Sequence, residues 1–133
     1  MLLDTSGLLC YVDASQDRHR DAVEYYNSAR MRVTHNYVIA EFVALAQARG
    51  YPRELTLKFP SALTSDPEVE VIWVDPSLHH EALALLRSQL DKSYSLCDAV
   101  SFLVIGGQKI TDALTTDHHF IQAGFQALLV HGS

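Results

Sequence analysis

Val69-Glu70-Val71-Ile72-Trp73-Val74 (VEVIWV) is the stretch that sorts this chain into a fold class. Its last four residues are continuously apolar, as in strands covered on both faces, and such strands belong to parallel sheets flanked by helices. Pro76 can then open a helix to about Leu90, with Leu78, Ala82, Leu85 and Leu86 on one side. A strand followed by a helix is the unit from which an α/β fold is assembled.

The same alternation extends in both directions. Met1 to Leu3 is a short apolar run stopped by Asp4-Thr5-Ser6-Gly7, a buried strand feeding a turn or a helix start. Helical spacing of Ala22, Tyr25, Tyr26 and Ala29 predicts a helix from about Asp17 to Arg30, and Met31 to Thr34 is a short strand candidate. A helix follows from about Asn36 to Arg49, where Gly50 is a suitable stop. Pro52 opens another, which reaches about Leu63 before Thr64-Ser65-Asp66-Pro67 breaks it. Beyond the central strand and its helix, Ser95 begins a helix, SLCDAVSFLVIG, expected to end at Gly106-Gly107. Ala113 to Thr115 reads as a strand, His118 to Ala123 as a short helix ended by Gly124, and Ala127 to Val130 as a last strand. The expectation is one domain over residues 1–133, a three-layer α/β/α sandwich around a mainly parallel central sheet.

Composition narrows the function. A chain of 133 residues can bury one sizeable core, and 48% hydrophobic with 20% charged residues describes an ordinary globular protein. No stretch approaches the roughly 20 apolar residues of a membrane-spanning helix. MLLDTSGLLCYVD meets an acid at position 4 with no basic leader, so neither a secretion signal nor a transit peptide is expected, and the protein is expected in the cytoplasm away from membranes. Cys10 and Cys97 form no CxxC or Cys/His cluster and read as small buried thiols. A net charge of −6 argues against holding nucleic acid by bulk electrostatics alone, but not against a nuclease whose acids gather around divalent cations.

Glu41 is the anomaly. In NYVIAEFVAL (36–45), Val38, Phe42 and Leu45 share one side of the helix, yet Tyr37, Val38, Ala44 and Leu45 are the helical neighbours of a carboxylate. Such a group is paired, metal-bound, neutralised or less buried than the pattern suggests. Three other acids stand where open parallel sheets form their sites, at strand ends and helix starts. Asp4 ends the first strand, Asp98 lies in the first turn of a helix, and Asp117 follows a late strand. Each has a plain alternative: Asp4 and Asp117 as helix caps, and Asp98 as part of an imperfect capping box with Ser95. Glu41 has none. If it meets the other three, carboxylates about 4 Å apart repel by a few kcal/mol per pair at an effective dielectric near 20. A cation must then compensate, and oxygen ligands select hard ions, Mg2+ or Mn2+.

The four stretches LLDTSGLL around Asp4, THNYVIAEFVAL around Glu41, SLCDAVSFLV around Asp98 and ALTTDHHF around Asp117 together resemble the PIN-domain nucleases, and the compact length resembles the VapC-type toxins of bacterial toxin–antitoxin pairs. The resemblance implies a metal-dependent endoribonuclease with an acidic pocket, holding Mg2+, for which Mn2+ can substitute. It further implies Asp4, Glu41, Asp98 and Asp117 as catalytic metal ligands, with Asp4 and Asp98 the surest. Thr5, Ser6 and Thr115 match the small hydroxyl positions that support the pocket. Asp112 precedes its strand and is left out of the set. RNA as substrate, a small antitoxin protein and a second copy of the chain in a homodimer are the expected partners.

Among the other residues, the pairs His79-His80 and His118-His119 point about 100° apart on a helix and read as solvated surface rather than shared metal ligands. Arg18, Arg20, Arg30 and Arg32 could touch RNA phosphates or simply decorate helix ends. Tyr25, Tyr26 and Trp73 read as core or interface residues. Three rival functions remain. A signalling receiver domain needs an acidic pair at the first strand and a late lysine, where here Asp4 stands alone and no lysine follows Val130. The others are a non-catalytic interaction module on the same fold and a nuclease acting on DNA.

Overall fold

The computed structural model describes residues 1–130. Five strands form one sheet: β1 (Leu2–Leu3), β2 (Arg32–His35), β3 (Val69–Ile72), β4 (Asp112–Leu114) and β5 (Gln126–Ala127). Their order is β3-β2-β1-β4-β5, and every neighbouring pair is parallel. The connecting helices are α1 (Thr5–Val12), α2 (His19–Ser28), α3 (Asn36–Ala48), α4 (Arg53–Ser65), α5 (Pro76–Ser88), α6 (Leu96–Gln108) and α7 (His119–Gln122).

Strand alternation divides the core into two layers. Leu3 and Leu114 face one side, where Leu8, Leu9, Ala22, Tyr26, Val38, Phe42 and Leu63 bring in α1 to α4. Leu2, Val33 and Ala113 face the other, packed by Ala82, Val100, Ile105 and Phe120 of α5, α6 and α7. One-residue alternation along each strand therefore produces the three-layer α/β/α sandwich. At Gly7, α1 approaches β4 so closely that a Cβ would lie 1.9 Å from the Leu114 carbonyl oxygen. A side chain there would push the start of α1 off the sheet.

Three expectations are corrected. VEVIWV is covered on both faces only in part: Val71 packs on one core layer and Ile72 on the other, but β3 is an edge strand that pairs only with β2, and Glu70 is exposed. The strand stops at Ile72, and Trp73, at 64% exposure, lies outside the core. An apolar run says that a strand is partly buried, not whether it is central, and the sheet edge decides the rest. The helix of SLCDAVSFLVIG runs through Gly106-Gly107 to Gln108 and turns at Lys109 in the left-handed region (φ 56°), whose N–H bonds the Gly106 and Ile105 carbonyls. Glycine permits a helix stop without requiring one, and here positive φ falls on Gly50 and Gly124 instead. The last strand is only Gln126–Ala127, after which Leu129 bonds the Thr115 carbonyl from outside the ladder.

Candidate functional site

In the order β3-β2-β1-β4-β5 the chain reverses direction across the sheet between β1 and β4, and open α/β sheets bind ligands at the strands' carboxyl ends at such a point. Asp4 leaves β1 there and Thr115 leaves β4. Asp4 occupies the position before α1, but its side chain makes no capping hydrogen bond. Instead Thr115 Oγ1 donates to Asp4 Oδ2 at 2.7 Å. Ser6 Oγ lies 3.4 Å from the same oxygen and 3.1 Å from Thr115 Oγ1, and it accepts the Thr116 N–H. Thr115 Oγ1 in turn accepts the Asp117 N–H. The hydroxyls of Ser6 and Thr115 thus join the end of β1 to the loop after β4.

Asp4 is 5% exposed with no basic partner among the described residues, and burial raises its pKa to about 7, against the Thr115 hydrogen bond and with help from the negative charges of Asp98 and Glu41. Glu41 comes from the second turn of α3, whose start is fixed by His35, with the ring accepting the Val38 N–H. Glu41 is half-buried, because Ala44 and Leu45 on its C-terminal side are exposed. Leu45, expected inside, is replaced in the core by Ala46. The carboxylates of Asp4 and Glu41 and the Cys97 thiol lie within 4.8 Å of one another. Burial, then the charges of Glu41, Asp4 and Asp98, push the Cys97 thiol well up. Thr5 Oγ1 sits beside that thiol, buried and without a hydrogen-bond partner of good geometry among the described residues.

Asp98 has two environments. Its Oδ2 accepts the Ser95 N–H while Ser95 Oγ accepts the Asp98 N–H, so the capping box exists. The same oxygen lies 3.0 Å from His119 Nδ1, and Asp117 Oδ1 lies 3.3 Å from that nitrogen. Asp117 also accepts the His119 N–H, a local turn bond at the start of α7. Asp98, Asp117 and His119 are a second set of ligand atoms mutually within 4.8 Å.

The four acids expected to share one pocket therefore fall into two adjoining sets, linked by the charge that Asp98 exerts on Asp4. His119 is a correction: it is no solvated bystander but lies between two of the acids, with Nε2 3.1 Å from Ser93 Oγ. His79, likewise, is half-buried against Tyr37. Arg32 is excluded from substrate contact, since it is buried, its Nε donates to the Tyr26 carbonyl, and it pairs with Glu68. Asp112 opens β4 at the opposite end of the sheet from Asp4. Among the described residues no helix is long and apolar enough to cross a membrane.

The donor chemistry suits a hard divalent cation. Four of the six groups are carboxylates, and among the described residues buried Asp4 has no basic partner and buried Thr5 Oγ1 no hydrogen bond of good geometry.

The family model for the PIN domain matches residues 1–126. Among solved structures, the chain is similar to VapC20 of Mycobacterium tuberculosis, a sarcin–ricin loop cleaving toxin, at a TM-score of 0.84 and 27% identity. The likeness covers 93% of this chain and 95% of that one. No curated protein matches the chain in sequence.

Proposed function

The chain belongs to the PIN-domain family, and from that premise we propose that it is a single-domain, Mg2+- or Mn2+-dependent endoribonuclease, the toxin of a toxin–antitoxin pair acting in the cytoplasm. The observation that carries the reading is Asp4: a buried carboxyl at the sheet's switch point, with Glu41 and Asp98 charges nearby and no basic partner among the described residues. Asp4 and Asp98 would hold the cation, with Glu41 and Asp117 completing the acidic wall. A bound Mg2+ or Mn2+ lowers the pKa of a water and offsets charge on the phosphate under attack.

The remaining work falls to the chain's own groups. Thr115 and Ser6 fix the Asp4 carboxylate through Oδ2, and the capping box fixes Asp98 through its own Oδ2. Such supporting contacts hold ligands within the geometry a metal demands. His119 supplies the positive or hydrogen-bonding partner that lets Asp98 and Asp117 lie close together when no cation is bound. By similarity to VapC20, an oligonucleotide of the sarcin–ricin loop is the first substrate to test. A small antitoxin and a second copy of the chain are the proposed protein partners.

Mn2+ binding by electron paramagnetic resonance, paired with cleavage of matched RNA and DNA oligonucleotides, tests the proposal. Parent protein should bind Mn2+ and cut RNA to 5′-phosphate ends, and Asp4→Asn and Asp98→Asn should bind Mn2+ far more weakly and cut far more slowly. Parent that binds no Mn2+ at millimolar concentration would leave a non-catalytic interaction module, and equal cleavage of DNA would remove the ribonuclease assignment.

A further inference from the structure

Next to the acids lies a cleft of about 210 Å³ whose walls include Ser6, Gln16, Asp17, Arg18, Arg49 and Thr116. Ser6 and Thr116 belong to both places, since Ser6 Oγ lies 3.4 Å from Asp4 Oδ2 and accepts the Thr116 N–H. The cleft therefore begins where the acidic site ends. Arg18 stands at the start of α2 and Arg49 at the end of α3, so two separate elements bring guanidinium groups to one cavity. Both act on the Cys10 thiol in its wall, lowering a pKa that burial raises.

Two like charges converging on a cavity favour an anion between them, and Asp17, the acid in the same wall, forms no ion pair with either arginine among the described residues. Arg18 makes the need specific, because its Nε is buried without a hydrogen-bond partner among the described residues. A buried unpaired donor costs roughly 1–3 kcal/mol and calls for an unseen acceptor. Asp13 is not that acceptor: its carboxylate is taken by Ser15, Gln16 and Tyr51. Arginine presents a planar fork of N–H groups that matches phosphate oxygens in pairs.

We infer that this cleft is a phosphate subsite for the RNA strand, in which Arg18 and Arg49 hold the phosphodiester adjoining the one presented to the acids. The inference rests on the nuclease reading for its substrate, but not on the metal for its binding energy. It also resolves a difficulty of charge. A protein of net charge −6 whose site is lined by carboxylates repels a polyanion, so the strand must be held by local cations beside the site.

The test is binding of a short mixed-sequence single-stranded RNA to metal-free protein in EDTA, across a range of salt concentrations. Arg18→Gln should weaken binding about tenfold and flatten the dependence of log affinity on log salt by about 0.7, the share of one phosphate contact on a single strand. Arg49→Gln, at an exposed helix end that tolerates substitution, should act in the same direction. Arg18→Lys should restore the salt slope and only part of the affinity, since it keeps the charge and loses the fork. Inorganic phosphate should compete with RNA in the parent and not in Arg18→Gln. A parent that binds no RNA in EDTA, or folded Arg18→Gln and Arg49→Gln variants with the parent's affinity and slope, overturns the subsite. Affinity lost with an unchanged slope would mark a structural role and overturn it too. Because no metal is present, the subsite can stand while the nuclease reading fails at Mn2+ binding, and the reverse.

Discussion

Two sets of ligand atoms adjoin at the carboxyl end of the sheet, and they are stabilised in opposite ways. Asp98 and Asp117 have His119 between them, 3.0 and 3.3 Å from its Nδ1, and Asp98 is further engaged by the backbone of Ser95. Asp4 and Glu41 share their set with a thiol, which offers no positive charge. The first set has a base of the chain's own between its acids, whereas the second stays strained until a proton or a cation arrives. Proximity of acids alone therefore says little about metal demand, and the accompanying base says much.

The sharpest way to break this contrast is Asp4→Asn. The folded protein keeps the Asp4 proton up to about pH 7, whereas the unfolded chain releases it near 3.8. The raised pKa means that metal-free stability falls as pH rises through this window, by about 4 kcal/mol at about 1.4 kcal/mol per pH unit. Asn carries no such charge, so Asp4→Asn in EDTA at pH 8 should be more stable than the parent by up to that amount while losing cleavage by roughly 100-fold or more. Thermal denaturation at pH 5 and pH 8 reads the first effect. A variant no more stable than the parent at pH 8 would show that Asp4 is not strained.

His35 should bend the same curve the other way. It is buried at the end of β2, donating or accepting at Ser101 Oγ 2.8 Å away, and burial lowers its pKa to about 4. The unfolded chain takes up that proton near pH 6.5, so stability is lost as pH falls from 6.5 toward 4, by about 3 kcal/mol. In the parent the two slopes oppose each other between pH 4 and 6.5. Urea titrations of the metal-free parent should give a nearly flat profile there, and Asp4→Asn should uncover a clear decline on acidification. A parent profile as steep as the variant's would contradict the assignment.

Glu41 sharpens the comparison with a smaller effect. It is half-buried and its helix is anchored by Val38, Phe42 and Ala46, so Glu41→Gln should change metal-free stability by less than about 1 kcal/mol. Mn2+ affinity should fall about 10- to 100-fold. An unfolded variant, or one that binds Mn2+ like the parent, would mean that the carboxylate serves the fold and not a cation.

These residues also show what a sequence can and cannot disclose. Strands and helices were legible because their cues are local: the apolar run after Val69, Pro76, the glycines at 50 and 124. Strand order was not, and with it went the exposure of Trp73, because sheet position depends on partners far away in the chain. The acids were legible at strand ends and, for Glu41, as a charge in an apolar helix. Their division into two sets was not, because it turns on His119 and Cys97. A histidine two residues after Asp117 looks like surface until α7 carries it to Asp98, and a cysteine before Asp98 looks like packing until α6 sets it beside Glu41. Arg18 stood among the arginines that could touch RNA phosphates, but its meeting with Arg49, 31 positions away, was hidden because the two come together only in the cleft.

The smallest effect separates the two roles of Asp98. If Asp98 served only the capping box, Asp98→Asn would be nearly silent, since an amide oxygen can still accept the Ser95 N–H, and Ser95→Ala would be the damaging change. If it also holds a cation, the ranking reverses for metal and stays for stability. Ser95→Ala should cost about 1 kcal/mol, lowering Tm by about 4 °C, and leave Mn2+ binding within a few-fold of the parent. Asp98→Asn should melt close to the parent and bind Mn2+ far more weakly. Melting curves and Mn2+ titrations on the same two variants decide it, because a cap and a ligand predict opposite orders in the two measurements.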